Sequence, residues 1–337
     1  MSSEAALSTN KQNIIIKTII KYPVLPSFVF FIVMVIMFII LSPIDRRGQN
    51  IFLTPTNLTN IVESTASVSI GAFAVTLIML SGRIDLSTGT IISLSSVAFA
   101  LASELGMGFL GSLFIALAVG TICGAINSFL VVICKVPAFL ATICITLVYI
   151  GVSYLISGSR TISIREPMLI SVFGSFGSGG SFLGLPVQLC WTIFFLIAMY
   201  MLISKSKFGR WAQATGGNIQ AAYSSGVNVK MVQTAAYIIG GFSCAFVGIL
   251  FCARLNVASA SFGGDYTLQF IMASVLGGTN QNGEGGNVFG TLLGSLVMGV
   301  LVNGLGIIGV NVYVQQIIMG VVIVATVVFS IYLTNKK

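Results

Sequence analysis

From Gly285 to Asn335 the chain carries no Asp, Glu, Lys or Arg. A run of that length cannot form the wetted side of a soluble domain, in which about a quarter of the residues are charged. In a bilayer it is the expected composition, because lipid accepts apolar side chains and excludes charge. The whole of the 337-residue chain shares the property, with 56% hydrophobic and only 7% charged residues. Its surface must therefore face lipid. The fold class this implies is all-α: a polytopic membrane protein of about ten transmembrane helices, with one or two broken or re-entrant segments and both termini cytoplasmic.

Composition also excludes chemistry. The net charge of +8 is explained by Lys and Arg marking cytoplasmic helix ends; no basic, aromatic-interleaved patch points to nucleic acid. Cys123, Cys134, Cys144, Cys190, Cys244 and Cys252 all lie in apolar runs without a CxxC pair, so they read as small core residues. The chain contains no His, which removes the commonest metal ligand and general base. No GxxxxGK[ST] loop is present. The expectation is a chain without catalytic, metal or cofactor residues of its own.

Spans are placed where about 20 apolar residues fit between charges: 24–42, 58–80, 87–102, 109–133, 136–157, 187–204, 231–253, 266–278, 288–309 and 313–333. The segment 266–278 is short enough to be either a full span or a re-entrant element. With this count Lys11, Lys17, Lys21, Arg83, Lys135, Lys205, Lys207, Arg210, Lys230, Lys336 and Lys337 are cytoplasmic. Arg46, Arg47, Arg160, Arg165 and Arg254 are outside, the bias expected for this orientation. Residues 1–23 form a cytoplasmic N-terminal segment and 24–334 one transmembrane domain. Residues 158–186 are an outer loop with a Gly/Ser run, Gly174–Ser181, and 205–230 the largest cytoplasmic loop. A short echo relates Gly89–Leu94 to Gly290–Ser295, each after a polar break, as in transporters built from repeats.

Three polar segments stand out. Ser81-Gly82-Arg83-Ile84-Asp85-Leu86-Ser87-Thr88-Gly89 reads either as a tight turn with Asp85 at a helix N-terminus or as a broken helix lining a polar pathway. In Gly209–Val227, the residues Gln220–Tyr223 suit a short helix with Asn218 as N-cap and Gly226 as stop. About 25 residues is long for a connector, and a short helix exposing Ala and Tyr is a docking surface. Gly277–Asn287 is glycine-rich, but without a Lys it is a weak phosphate cradle and reads as a turn.

Together these segments resemble the ribose/xylose/galactose-type permeases of ATP-binding-cassette (ABC) transporters, related to branched-chain amino acid permeases and including autoinducer-2 permeases. Residues 81–90 are similar to GGIDLSVGS. Asn127–Ala141, with Lys135, Val136, Pro137, Phe139 and the following Thr142, resembles NG-x-K-V-P-P-F-I-A-T. Residues 209–229 resemble GR-x-AIGGN-x-EAA-x-SGI, and 276–320 resemble LGGTS-x-GG-x-G-x-GT with the later Asn303-Gly304-Leu305, Gly309-Val310, Gln315-Gln316 and Gly320. The likeness runs from about 57 to 331.

The resemblance implies the permease subunit of an importer for a monosaccharide or sugar-like solute in the bacterial inner membrane. It implies three partners: a cytoplasmic ABC ATPase, an extracytoplasmic sugar-binding protein, and a second permease copy or paralogue. Gly209, Arg210, Gly217, Asn218, Gln220, Ala221, Ala222 and Gly226 would couple to the ATPase, while Asp85, Ser87, Asn127 and Asn303 would line the pathway. The sequence departs from the family at Gln220, where a Glu is usual, at Arg83, where a Gly is usual, and at Tyr266-Thr267-Leu268-Gln269, where two carboxylates are missing. The alternatives are branched-chain amino acids or nucleosides as cargo, or an ion-coupled secondary transporter using Glu63 or Asp85.

Overall fold

The computed structural model describes residues 25–176, 179–280 and 285–334. The expectations for residues 1–23, Gln281–Glu284, Lys336 and Lys337, and for part of the Gly/Ser run, lie outside the described residues. The helices are α1 (Leu25–Leu41), α2 (Pro55–Leu80), α3 (Thr88–Glu104), α4 (Gly108–Ser128), α5 (Ala138–Ser157), α6 (Pro167–Phe173), α7 (Val187–Tyr200), α8 (Lys207–Gly217), α9 (Ile219–Ser224), α10 (Val229–Leu255), α11 (Tyr266–Leu276), α12 (Val288–Ile307) and α13 (Val312–Thr334). The strands are β1 (Ile162–Ser163), β2 (Ser181–Phe182), β3 (Leu185–Pro186) and β4 (Val257–Ala258), paired as two short antiparallel ribbons, β1 with β4 and β2 with β3.

Among the described residues six helical stretches are long and apolar enough to cross a membrane: Pro55–Leu80, Gly108–Ile133, Ala138–Ser157, Val187–Lys205, Val229–Leu255 and Val288–Ile307. Two of these include a terminal π-helical turn, Phe129–Ile133 after α4 and Met201–Lys205 after α7. The apolar helices α1, α3 and α11 are shorter. α11 has 11 residues and so extends about 16 Å, half a bilayer. The expected span 266–278 is therefore not a complete helical crossing.

Burial follows the position of each helix. α2 and α10 are largely buried, whereas α4 and α5 are much less so, presenting Phe114, Leu147 and Leu155 outward. Helix starts are set locally: Thr54 Oγ1 accepts from Asn57 N–H with Pro55 next, Asn228 Oδ1 from Met231 N–H, and Asn287 Oδ1 from Phe289 N–H, each satisfying a free amide of the first turn.

Glycine contacts fix helix directions. A Cβ on Gly241 (α10) would sit 2.1 Å from Gly120 O (α4), and one on Gly124 would sit 2.3 Å from Tyr237 O; the two helices run antiparallel. α3 runs parallel to α10, with Gly248 against Ile92 and Cys252 against Ser96. α12 is antiparallel to both α2 (Gly299 on Thr65, Asn303 on Asn57) and α11 (Gly294 on Ala273, Gly277 on Gly290). These contacts define two ends of the bundle, one near Arg160 and one near Lys207. α11 ends beside the start of α1, where Ser27 Oγ donates to Leu276 O. The chain from Asn256 near the Arg160 end to Leu276 near the Lys207 end is thus half irregular and half helix.

Without water to drive association, helices in lipid join where small residues let backbones meet. Gly241→Ala should cost about 1–3 kcal/mol by overpacking. Gly151→Ala on α5, where a Cβ meets nothing within 4 Å, should leave stability unchanged or slightly raised. Thermal unfolding midpoints of the two purified variants in detergent check the contrast.

Candidate functional site

The segment between α2 and α3 is not a surface turn. Asp85 is 1% exposed and Ser81, Ser87 and Thr88 are fully buried. An irregular stretch in this position must satisfy its polar groups internally, and neighbouring helices supply the partners. Asp85 Oδ1 accepts from Ser87 N–H at 2.8 Å and from Ser87 Oγ at 2.7 Å. Asp85 Oδ2 accepts from Asn127 Nδ2 of α4 at 2.9 Å, and the same amide donates to Ser87 Oγ at 2.7 Å. Every partner of the carboxylate is a donor.

Asn127 is itself held. The Tyr149 hydroxyl of α5 lies 2.9 Å from both Asn127 Oδ1 and Cys123 O, so both protons and the acceptor of the Asn127 amide are engaged. From α10, Gln233 Nε2 donates to Ser81 O at 3.1 Å and the Tyr237 hydroxyl to Ile84 O at 3.1 Å. At the foot of α11, Thr267 Oγ1 accepts from Gly89 N–H at 2.8 Å and lies 3.4 Å from Leu86 O. The backbones of Gly89 and Gly263 meet so closely that a Cβ on Gly263 would be 1.6 Å from Gly89 O. Four helices therefore converge on residues 81–89.

The structure brings together Asp85, Ser87 and Asn127 of the four residues expected along a pathway. Asn303 sits elsewhere, with its Nδ2 donating to Asn57 Oδ1 at 2.9 Å near the start of α2, a helix length away. Sequence reading missed Tyr149, Gln233, Tyr237 and Thr267. Their signal was present: polar side chains inside apolar spans are costly in lipid and need partners.

At the Lys207 end six of the eight docking-loop residues lie in two short capped helices, with Asn218 between them and Gly226 just beyond the second. Ser206 Oγ accepts from Gly209 N–H at 3.1 Å and begins α8. Asn218 Oδ1 accepts from Ala221 N–H at 2.9 Å and begins α9, the helix and cap expected there. Gly226, at φ +82°, stops it: Gly226 N–H donates to Tyr223 O and Val227 N–H to Ala222 O, the paired bonds of a glycine-terminated helix. Arg210, Gly217, Asn218, Gln220, Ala221 and Gly226 are exposed. Gly209 and Ala222 are buried instead, and a Cβ on Gly209 would strike Ile203 O at 2.0 Å. Trp211, Ile219 and Tyr223 add exposed apolar surface.

The Arg160 end is tied down. Arg160 forms a two-point ion pair with Glu104, at 3.2 and 2.7 Å. Glu63, 1% exposed, accepts from Ser175 Oγ at 2.7 Å and Phe176 N–H at 2.8 Å, with Arg254 Nε at 3.7 Å. Trp191 packs on Phe173 and Phe246 while donating to Val172 O. Neither Glu63 nor Asp85 offers an unengaged carboxylate to a coupling ion. Among the described residues no group of three or more Cys, Asp or Glu side chains could hold a metal.

Residues 57–327 match the family model described as branched-chain amino acid transport system / permease component. The chain is 35% identical over 306 residues to the ribose import permease protein RbsC of Escherichia coli K12, covering 90% of this chain and 93% of the relative. It is 33% identical to RbsC of Bacillus subtilis, over 85% and 87% of the two chains. To the D-allose transport system permease protein AlsC of E. coli it is 31% identical, over 87% and 88%.

Loss of one partner leaves buried groups unpaired. Tyr149→Phe should cost about 1–3 kcal/mol by orphaning Asn127 Oδ1. Asp85→Ala should cost more, because it strips acceptors from both Ser87 and Asn127. Thermal midpoints in detergent should fall in that order.

Proposed function

The chain belongs to the branched-chain amino acid transport system / permease component family, and from that premise we propose that it is the membrane subunit of an ABC importer for a monosaccharide or sugar-like solute. The reading places it in the bacterial inner membrane as a multi-pass transport component, not an enzyme. The Lys207 end faces the cytoplasm, the Arg160 end faces outward, and ten membrane-crossing segments form one domain over residues 24–334. Solute arrives from an extracytoplasmic binding protein, and a second permease subunit, a copy or a paralogue, completes the pathway.

One observation carries the ATP-driven reading. The α8–α9 pair is rigidly capped yet presents Trp211, Ile219 and Tyr223 outward, in a sequence with no nucleotide-binding loop of its own. Such a surface suits a separate ATPase whose nucleotide-driven closure moves the permease between inward- and outward-open states. Sugar as cargo is supported by the names of the relatives, one a ribose import permease protein and the other a D-allose transport system permease protein. Gln220 in place of the usual Glu makes that contact neutral.

Affinity purification of the chain from membranes should bring an ATPase with it. Gly217→Arg and Ala221→Glu alter exposed positions, and at Gly217 a Cβ meets nothing within 4 Å, so both variants should insert normally. Each should lower ATPase co-purification by roughly tenfold or more, as expected for a charge placed in an interface centre. Full retention of the ATPase by both variants overturns the docking assignment, and uptake by the purified chain alone under an ion gradient overturns the ATP-driven reading.

A further inference from the structure

Nothing in the docking assignment says how a push at α8 and α9 reaches the helices that open the pathway. One contact bridges the two regions. Gly82, in the left-handed region at φ +74°, faces the last turn of α8: a Cβ there would lie 3.1 Å from Gly216 Cα and 3.7 Å from Thr215 O. On that same face of α8, Ala212 and Thr215 are fully buried. Three residues beyond Gly82, Asp85 is bonded to Ser87 and to α4. The backbone of 81–89 is also held by Gln233 and Tyr237 of α10 and by Thr267 of α11.

We propose that residues 81–89 are the transmission element of the importer, with Asp85, Ser87 and Asn127 acting as positioning residues that lock this segment to α3 and α4 so that α8 moves them as one body. The inference rests on the proposed ATP-driven reading. It gives the three residues a mechanical role in place of solute contact. The physical requirement for transmission is stiffness. A segment without helix would ordinarily absorb a push by bending, since a few φ/ψ changes cost little. Here the segment is pinned to three helices, Ser81 O and Ile84 O to α10, Asp85 to α4 and Gly89 N–H to α11, and the Asp85 carboxylate is engaged by three donors. α3 begins at the end of that segment, so displacement of Gly82 is delivered to α3 as rigid-body motion.

The network also explains why an acid and an amide are both needed. In Asp85→Asn an N–H₂ replaces one carboxylate oxygen and faces the Asn127 N–H₂, donor against donor, unless Asn127 turns over, which takes its N–H₂ away from Ser87 Oγ and breaks the wild-type network. Exchanging the two side chains, Asp85→Asn with Asn127→Asp, restores a donor–acceptor pair between 85 and 127. It also keeps an acceptor for the Tyr149 hydroxyl.

The test uses the full chain purified with its ATPase. Nitroxides go at Ile40→Cys on α1 and Leu105→Cys at the end of α3, both strongly exposed, with Cys134, Cys144 and Cys190 changed to serine. The interlabel distance is read by pulsed electron resonance with and without ATP and vanadate. α1 packs on α12 through Phe38 and Gly304 and shares no hydrogen bond with residues 81–89. The wild-type distance should shift by roughly 2–5 Å on nucleotide trapping, the scale of helix displacements in switching proteins. In Asp85→Asn the ATPase should stay bound and trap nucleotide, yet the shift should vanish, and the exchanged double variant should recover it. Gly82→Ala puts a Cβ 3.1 Å from Gly216 Cα and strains a backbone at φ +74° while leaving every side chain of the buried network in place, and serves if Asp85→Asn does not fold; it should abolish the shift in the same way. A full shift in Asp85→Asn or Gly82→Ala with nucleotide trapped, no recovery in the double variant, or no shift in wild type overturns the transmission role. Absence of any co-purifying ATPase instead removes the importer reading beneath it.

Discussion

A break in a helix inside a membrane must find a partner for every peptide group it exposes, because hydrocarbon offers none. Residues 81–89 meet that demand with side chains borrowed from α4, α5, α10 and α11. The consequence reaches beyond local stability. Helices that would otherwise slide on one another in lipid are joined through polar bonds that are directional and expensive to leave unmade. Asp85 is the centre because a carboxylate accepts several donors at once, and here Ser87 and Asn127 supply them.

Around that centre the bundle is assembled by absence of side chain. Gly120 and Gly124 meet Gly241 and the Tyr237 backbone, Gly89 meets Gly263, and Gly294 and Gly277 seat α12 on α11. Apolar packing gives little net drive between helices in a solvent as oily as their side chains, so close backbone approach and buried hydroxyls take its place. Thr76, Ser274 and Thr291 make a second polar junction of this kind, with oxygen distances of 3.0 and 2.8 Å between α2, α11 and α12.

The two ends of the bundle differ in a way that suits a machine driven from one side. Near Arg160, an ion pair, a buried glutamate and an aromatic cluster fasten the loop to α3, α2 and α10. Near Lys207, the helices α8 and α9 are capped at their own ends, and most of their length is exposed. The first arrangement ties the loop to the helices it caps; the second presents a firm handle.

Much of this was written in the chain itself. Low charge dictated a lipid-facing helical bundle, since no other solvent tolerates that surface. Asn218 and Gly226 marked the limits of α9 because caps act within one turn and depend only on neighbours in sequence. What lies far apart in sequence was decided by the tertiary structure alone. Asp85 reads as either a turn residue or a pathway residue, and only the approach of Asn127, itself held by Tyr149, ties it to α4 and α5. Likewise 266–278 could be a full span or a re-entrant element, and the structure gives it a helix of half a bilayer preceded by an irregular stretch in which Gly263 meets Gly89. Asn303, grouped with Asp85 by residue type, pairs with Asn57 a helix length away. Hydropathy and capping are local quantities; which buried donor meets which acceptor is set by the packing of whole helices.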